Sequence, residues 1–306
     1  MSVRTWKRII TLIVIATIIG LISTSIVLLV KYGSVSEAFD KMKNSSTIVD
    51  LTKYGFNTEE EVAEVHRYLE FMEDADSADY QEMYKDLYID TDFKFTDKSN
   101  KKICYLTFDD GPNVENTTRI LDALKEYDAK ATFFVIYKDS KEERALYRRI
   151  VEEGHTIAVH SASHKYDKIY ASVEAFLNDF DRISRQIEDA TGVKPEIFRF
   201  PGGSVNSYNM TIHQELIAEM LRRGYVFYDW NSSCGDAAGA SVSKKQIVNN
   251  VLNNGTKQKK KIVLLHDGSG HRNTADALPE ILEGLIEQGY ELKALDNSVS
   301  PICFAY

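Results

Sequence analysis

Beyond its first hundred residues, the chain predicts an α/β fold built on a mainly parallel sheet, in the manner of a β/α barrel. Three observations lead there. Short apolar runs at 104–108, 132–136, 156–159, 197–200, 225–228 and 262–265 read as strands, and segments of helical period lie between them. Asp109, Arg199 and His266 each end one such run and His160 follows another, so reactive side chains collect where barrel strands finish. Strands joined through helices pair in parallel with right-handed crossovers.

The elements follow in order. Residues 9–30 are apolar and uncharged between Arg8 and Lys31. At ~1.5 Å per residue this run spans a ~30 Å hydrocarbon core. A cleaved signal peptide has a shorter apolar region and a small-residue site after it, which residues 27–31 do not offer. Arg4, Lys7 and Arg8 precede the run and Lys31 follows it, so the positive-inside rule leaves the N-terminus in the cytoplasm and the rest outside. Residues 1–31 are therefore read as a basic stub and transmembrane signal anchor, 32–100 as an acidic, partly helical spacer, and 101–306 as the catalytic domain. The spacer carries an N-cap signal at Asn57-Thr58 before Glu59-Glu60-Glu61, then Val62, Val65, Tyr68, Leu69 and Met72 at helical spacing. Within the domain, Ile120, Leu121, Leu124 and Tyr127 mark one amphipathic helix. Residues Val173 to Ile187 mark another that stops at Gly192, and Leu278 to Ile286 a last one that stops at Gly289.

Net charge is −9, which excludes a nucleic-acid partner because phosphate binding needs a basic surface. Cys104, Cys234 and Cys303 are too few and odd in number for a disulfide framework, though a Cys104–Cys303 bridge stays open.

The chemistry concentrates at Asp109 and Asp110, after a buried strand and before the turn-forming Gly111-Pro112. Adjacent side chains at a strand end point different ways, so one carboxylate can hold a metal while the other faces the reaction. His160 and His164 are spaced i, i+4, which predicts one face of a helical turn. Three N/O ligands with an open fourth position form a catalytic zinc-type site.

Thr107-Phe108-Asp109-Asp110-Gly111-Pro112 and His160-Ser161-Ala162-Ser163-His164 resemble the first two motifs of the polysaccharide deacetylases, the NodB-homology carbohydrate esterases. Arg199-Phe200-Pro201-Gly202-Gly203, the stretch from Trp230 to Asp236, and Leu264-Leu265-His266 are similar to the remaining three, in order, within residues 100–295. The resemblance implies an irregular (β/α)7 barrel. It implies one divalent metal ion, zinc first with cobalt, nickel or manganese as alternatives, on Asp110, His160 and His164. Asp109 becomes the general base, Arg199 its partner and His266 the general acid. Asp236 is placed as the carboxylate behind His266, with Asp229 as the rival. Gly202 (through its N–H), Leu264 and Trp230 are the substrate-contacting candidates. Two positions depart from the family pattern: Gly202 lacks the aromatic side chain found there, and Ala237 replaces a tryptophan. No role falls to His66, His155, His213 or His271.

The implied function is an N-deacetylase of a GlcNAc-containing polysaccharide at a bacterial envelope, held by one membrane pass with its domain outside. Peptidoglycan is the first substrate. Alternatives are poly-N-acetylglucosamine, chito-oligosaccharides, O-acetyl xylan, or a non-catalytic glycan-binding module.

Overall fold

The computed structural model describes residues 79–304 apart from 92–93, 98–99, 238–241 and 256. The predicted membrane span at 9–30 and the spacer helix lie outside the described residues. Among the described residues no helix is long and apolar enough to cross a membrane.

Strands and helices alternate as β1 (Lys102–Asp109), α1 (Val114–Glu126), β2 (Thr132–Ile136), α2 (Lys141–Glu152), β3 (Thr156–Ser161), α3 (Tyr166–Ile169), α4 (Val173–Thr191) and β4 (Ile197–Phe198). They continue as α5 (His213–Arg222), β5 (Val226–Phe227), β6 (Ser232–Ser233), α6 (Lys244–Asn253), β7 (Lys260–His266), α7 (Arg272–Glu287) and β8 (Tyr290–Leu292). The sheet order is β5-β4-β3-β2-β1-β7-β6, with β8 added against the start of β1. Every pairing is parallel. Because β5 pairs with β4 while β6, a few residues on, pairs with β7, one extended run reaches both ends of the sheet and the strands curl into a half-barrel.

Local chemistry sets the boundaries. Burial covers all of β1 except Lys102, which suits a strand packed on both faces. Asn113 caps α1 by accepting from the backbone N–H groups of Glu115 and Asn116, and Ser172 caps α4 through Ala175. Left-handed Gly192 ends α4. One wall of the core is aromatic: Phe176, Phe180, Phe198, Phe200, Tyr225 and Phe227 meet mostly edge to face. The 79–91 stretch packs on the domain through buried Arg223, which pairs with Glu219 and donates to the carbonyls of Tyr80, Met83 and Tyr84.

Register matters for function. Residue 109 of β1 sits opposite Phe134 of β2 on one side and His266 of β7 on the other. Val159 of β3 pairs with Phe198 of β4, which delivers Arg199 to the same end.

Candidate active site

Asp109 ends β1 with its side chain buried, 3% exposed. Arg199, fully buried, donates to Asp109 Oδ1 at 2.8 Å and to Thr107 Oγ1 at 2.8 Å. Its remaining hydrogen bonds reach the carbonyls of Tyr228 (2.8 Å) and Asp229 (3.2 Å), and its guanidinium lies over the Phe134 ring at 4.2 Å. A guanidinium tied at so many points cannot swing away, so a permanent positive charge faces Asp109. Asp109 Oδ2 has no donor among the described residues.

Asp110 turns off the strand in a left-handed conformation, φ 71°. Its Oδ1 lies 3.4 Å from His160 Nε2 and 3.1 Å from His164 Nε2, and is buried without a hydrogen-bond partner. Burial pushes this carboxyl up, but the charges of His160 and His164, with His266 and His271 beyond, hold it below the ordinary range. His160 Nδ1 lies 2.9 Å from the Arg199 carbonyl. A carbonyl only accepts, so Nδ1 carries the proton and Nε2 presents a lone pair toward Asp110. Burial and the neighbouring His160 lower the His164 imidazole, against the pull of Asp110 and Asp109. These three side chains form a compact group able to hold a metal ion.

The two histidines do not share a helical turn, contrary to the i, i+4 reading. His160 lies within β3, whose pairing with β2 runs on to Ser161, and His164 sits in a loop at φ 51°. The hydrogen bonds a helix would supply come instead from α4. Asp179 accepts from Ser161 Oγ (2.6 Å), the Ala162 N–H (2.7 Å) and the Ser163 N–H (2.8 Å), while Ser161 Oγ accepts from the His164 N–H at 2.8 Å.

His266 ends β7. Its Nδ1 lies 2.7 Å from Asp236 Oδ1, and Asp236 Oδ2 accepts from the His266 N–H at 2.9 Å and from Thr274 Oγ1 at 2.7 Å. Burial alone would lower this imidazole, yet the bond and charge of Asp236, helped by Asp109 and Asp110, carry it up to about 9. The rival Asp229 lies elsewhere. It accepts from the N–H and Oγ of Ser204 and from the Phe304 N–H, fixing the loop after Arg199 and the end of the chain.

Sequence reasoning passed over two residues here. His271 stacks on His266, ring centroids 5.0 Å apart, with Nδ1 3.7 Å from Asp236 Oδ2. Its signal was position: it caps α7 five residues after His266, so the loop returns it to the same place. Asp267 is fully buried behind Gly111; Thr117 donates to one oxygen, the other has no partner, and burial pushes the carboxyl up to about 7. Any side chain at residue 111 would meet it, since a Cβ there would lie 2.2 Å from both oxygens.

The three substrate-contacting candidates differ in exposure. Gly202 is exposed, at φ 76°, and its N–H has no partner among the described residues. Trp230 packs edge-on to Phe304 at 4.6 Å and against the Arg199 guanidinium at 5.6 Å. Leu264, two residues before His266 and so on the same strand face, is 7% exposed. The three cysteines form no disulfide, and Cys104 and Cys234 are buried.

Residues 96–221 match the family profile described as polysaccharide deacetylase. A Bacillus cereus protein named peptidoglycan-N-acetylglucosamine deacetylase is 36% identical over 214 residues, 67% of this chain and 73% of the relative. A bifunctional xylanase/deacetylase of Pseudobutyrivibrio xylanivorans is 36% identical over 64% of this chain, but over only 30% of its own length. Among solved structures, the catalytic domain of a peptidoglycan N-acetylglucosamine deacetylase from Eubacterium rectale superposes with a TM-score of 0.64. It is 36% identical and covers 70% of this chain and 96% of its own. A polysaccharide deacetylase from Bacillus cereus superposes at 0.57, with 34% identity over 64% of this chain and 93% of its own.

Proposed function

Since the chain belongs to the polysaccharide deacetylase family, we propose that it hydrolyses the N-acetyl groups of GlcNAc residues in an extracellular polysaccharide, peptidoglycan first. The observation that carries this reading is convergence. A paired carboxylate, an Asp-His-His group and a carboxylate-backed histidine, from β1, β3, the turn after β4 and β7, meet at one end of the sheet.

The donor set suits a divalent cation. Asp110 Oδ1 lacks any hydrogen-bond donor, His160 presents Nε2 because its Nδ1–H is engaged, and His164 Nε2 faces the same oxygen. Bound there, the ion (zinc first; cobalt, nickel or manganese otherwise) supplies Lewis acidity that acidifies water and polarises an acyl oxygen. Asp109 takes the proton of the attacking water at Oδ2, its Oδ1 being held by Arg199. The free N–H of Gly202 supports the oxyanion that develops on the former carbonyl. His266 delivers a proton from Nε2 to the departing nitrogen, since Asp236 fixes its Nδ1. Leu264 and Trp230 shape the surrounding wall. The anchor read at residues 9–30 would hold this domain at the envelope, against the wall polymer.

Likeness to the xylanase/deacetylase favours one second reading, an O-acetyl xylan esterase, because an alkoxide leaves with less help from an acid than an amine does. Acetate release from N-acetylated peptidoglycan and from acetylated xylan, with and without chelator and added Zn²⁺, tests both. Metal-dependent release from the glycan that is lost in Asp109→Asn supports the proposal. Release confined to xylan selects the second reading, and binding of glycan without any release would make the chain a binding module.

A further inference from the structure

We infer that Tyr166 and Tyr208 form the platform on which a neighbouring sugar ring of the polymer stacks, in place of the side chain that Gly202 lacks. This rests on the deacetylase reading above. A Cβ built at Gly202 would meet Tyr166 Oη at 3.4 Å and Cζ at 3.5 Å, so the Tyr166 ring already borders the space that a side chain at 202 would enter. That ring lies beside the candidate metal ligand His164, two residues earlier in the chain, with ring centroids 5.3 Å apart. Tyr208 arrives from a different segment and lies 5.2 Å from Tyr166, inclined by 43°.

Tyr208 is 54% exposed, one of the few large hydrophobic side chains left open among the described residues. It is not on a slack loop. Asn206 Oδ1 accepts from the Tyr208 N–H at 2.8 Å, and Asn206 Nδ2 donates to the carbonyls of Pro201 (3.1 Å) and Gly203 (3.2 Å). Tyr170 backs Tyr166 at 6.2 Å and donates to the Pro201 carbonyl at 2.7 Å, which ties the platform to the Gly202 turn. Neither the Tyr166 nor the Tyr208 hydroxyl has a protein partner among the described residues.

An aromatic face beside an unpaired hydroxyl is the surface a pyranose needs: C–H groups over the ring, hydroxyls at its edge. With an acetamido group at the Asp-His-His end, the sugar linked to it falls over this pair. The ligand is therefore an oligomer rather than a single acetylated sugar.

Steady-state kinetics of the zinc-loaded full chain on N-acetylated chitotetraose and chitobiose tests this, together with calorimetric binding of the tetraose in the Asp109→Asn background. Tyr208→Ala should raise KM for the tetraose roughly tenfold while kcat changes far less. Tyr208→Phe should restore the KM, and the tetraose affinity of the Asp109→Asn protein should fall in parallel when Tyr208→Ala is added. An active Tyr208→Ala enzyme with unchanged KM and unchanged preference for the longer substrate would overturn the platform and leave the deacetylase reading intact. If the wild-type chain neither releases acetate from the tetraose nor binds it, both readings fall together.

Discussion

The sharpest consequence of the site is a pH dependence set by Asp236. His266 is raised to about 9 because Asp236 binds its Nδ1 and supplies a negative charge within 2.7 Å. Asp236→Asn keeps the shape and removes the charge, which returns the imidazole to ~6.5 or below, given its burial. If the imidazolium is the working form, its fraction at pH 8 drops from ~0.9 to ~0.03, a loss of roughly 30-fold, while at pH 6 the loss is only about 1.3-fold. The shift of ~2.5 units corresponds to about 3 kcal/mol between the two protonation states. The side chain is 13% exposed, so solvent screening takes little from that figure. The sign also fixes a stability effect. Because the folded-state value lies above the unfolded one, the stabilisation by this pair is complete below pH ~6.5 and disappears as pH rises through about 9. The assay is kcat against pH from 5.5 to 9.5 for wild type and Asp236→Asn on one acetylated oligosaccharide. The alkaline limb should move down from about 9 to ~6.5 or below. A variant that loses the same factor at every pH, with its limb unmoved, would refute the reasoning and reduce Asp236 to holding the ring in place.

Other perturbations read other parts of the site. Arg199→Met leaves Asp109 buried without its cation and should cost about 3–5 kcal/mol in urea denaturation; a loss below 1 kcal/mol would mean that water reaches the carboxylate. Asp179→Asn loosens the turn that carries His164, so zinc affinity measured by chelator competition should fall roughly 10–100-fold with helix content unchanged. An unaltered zinc affinity would show that the loop holds itself. Asp267 is raised to about 7, so the folded state binds its proton more tightly than the unfolded chain does, and stability falls as pH climbs from ~4 through 7. Asp267→Asn should therefore gain on wild type, in melting temperature, between pH 5 and pH 8. A gap that stays constant with pH would rule out ionisation as the cause.

What the sequence disclosed follows from how far each interaction reaches along the chain. The strand over residues 132–136 was legible because all of it but Thr132 is apolar and nearly all is buried. By contrast, β6 is only Ser232-Ser233, with no hydrophobic signal, and its place is set by pairing with β7 some thirty residues on. Residues 197–200 and 225–228 read as longer strands, but regular pairing covers only two residues in each. The two-histidine spacing misled for the same reason. Local period suggested a helix, whereas the turn is built by Asp179, distant in sequence and silent in any local pattern. Motif alignment placed Asp236 ahead of its rival Asp229, and packing puts Asp236 on His266 and Asp229 under Ser204.

One residue type does four different things within this site, and environment separates them. Asp109 has one oxygen held by the fixed Arg199 guanidinium, which leaves the other toward the open side of the site. Asp110 Oδ1 meets the Nε2 atoms of His160 and His164, a donor set that could hold a metal ion. Asp236 has both oxygens engaged by His266 and Thr274, so its charge acts through the ring it touches. Asp267 has one hydroxyl donor and only the charge of Lys138 to oppose its burial, so burial carries its carboxyl up to about 7. Divergent environments around like groups are how one site holds a base and an acid at the same pH. The parallel register makes that possible here, because it sets Asp109 beside His266 across two strands while each takes its counter-charge from a different part of the chain.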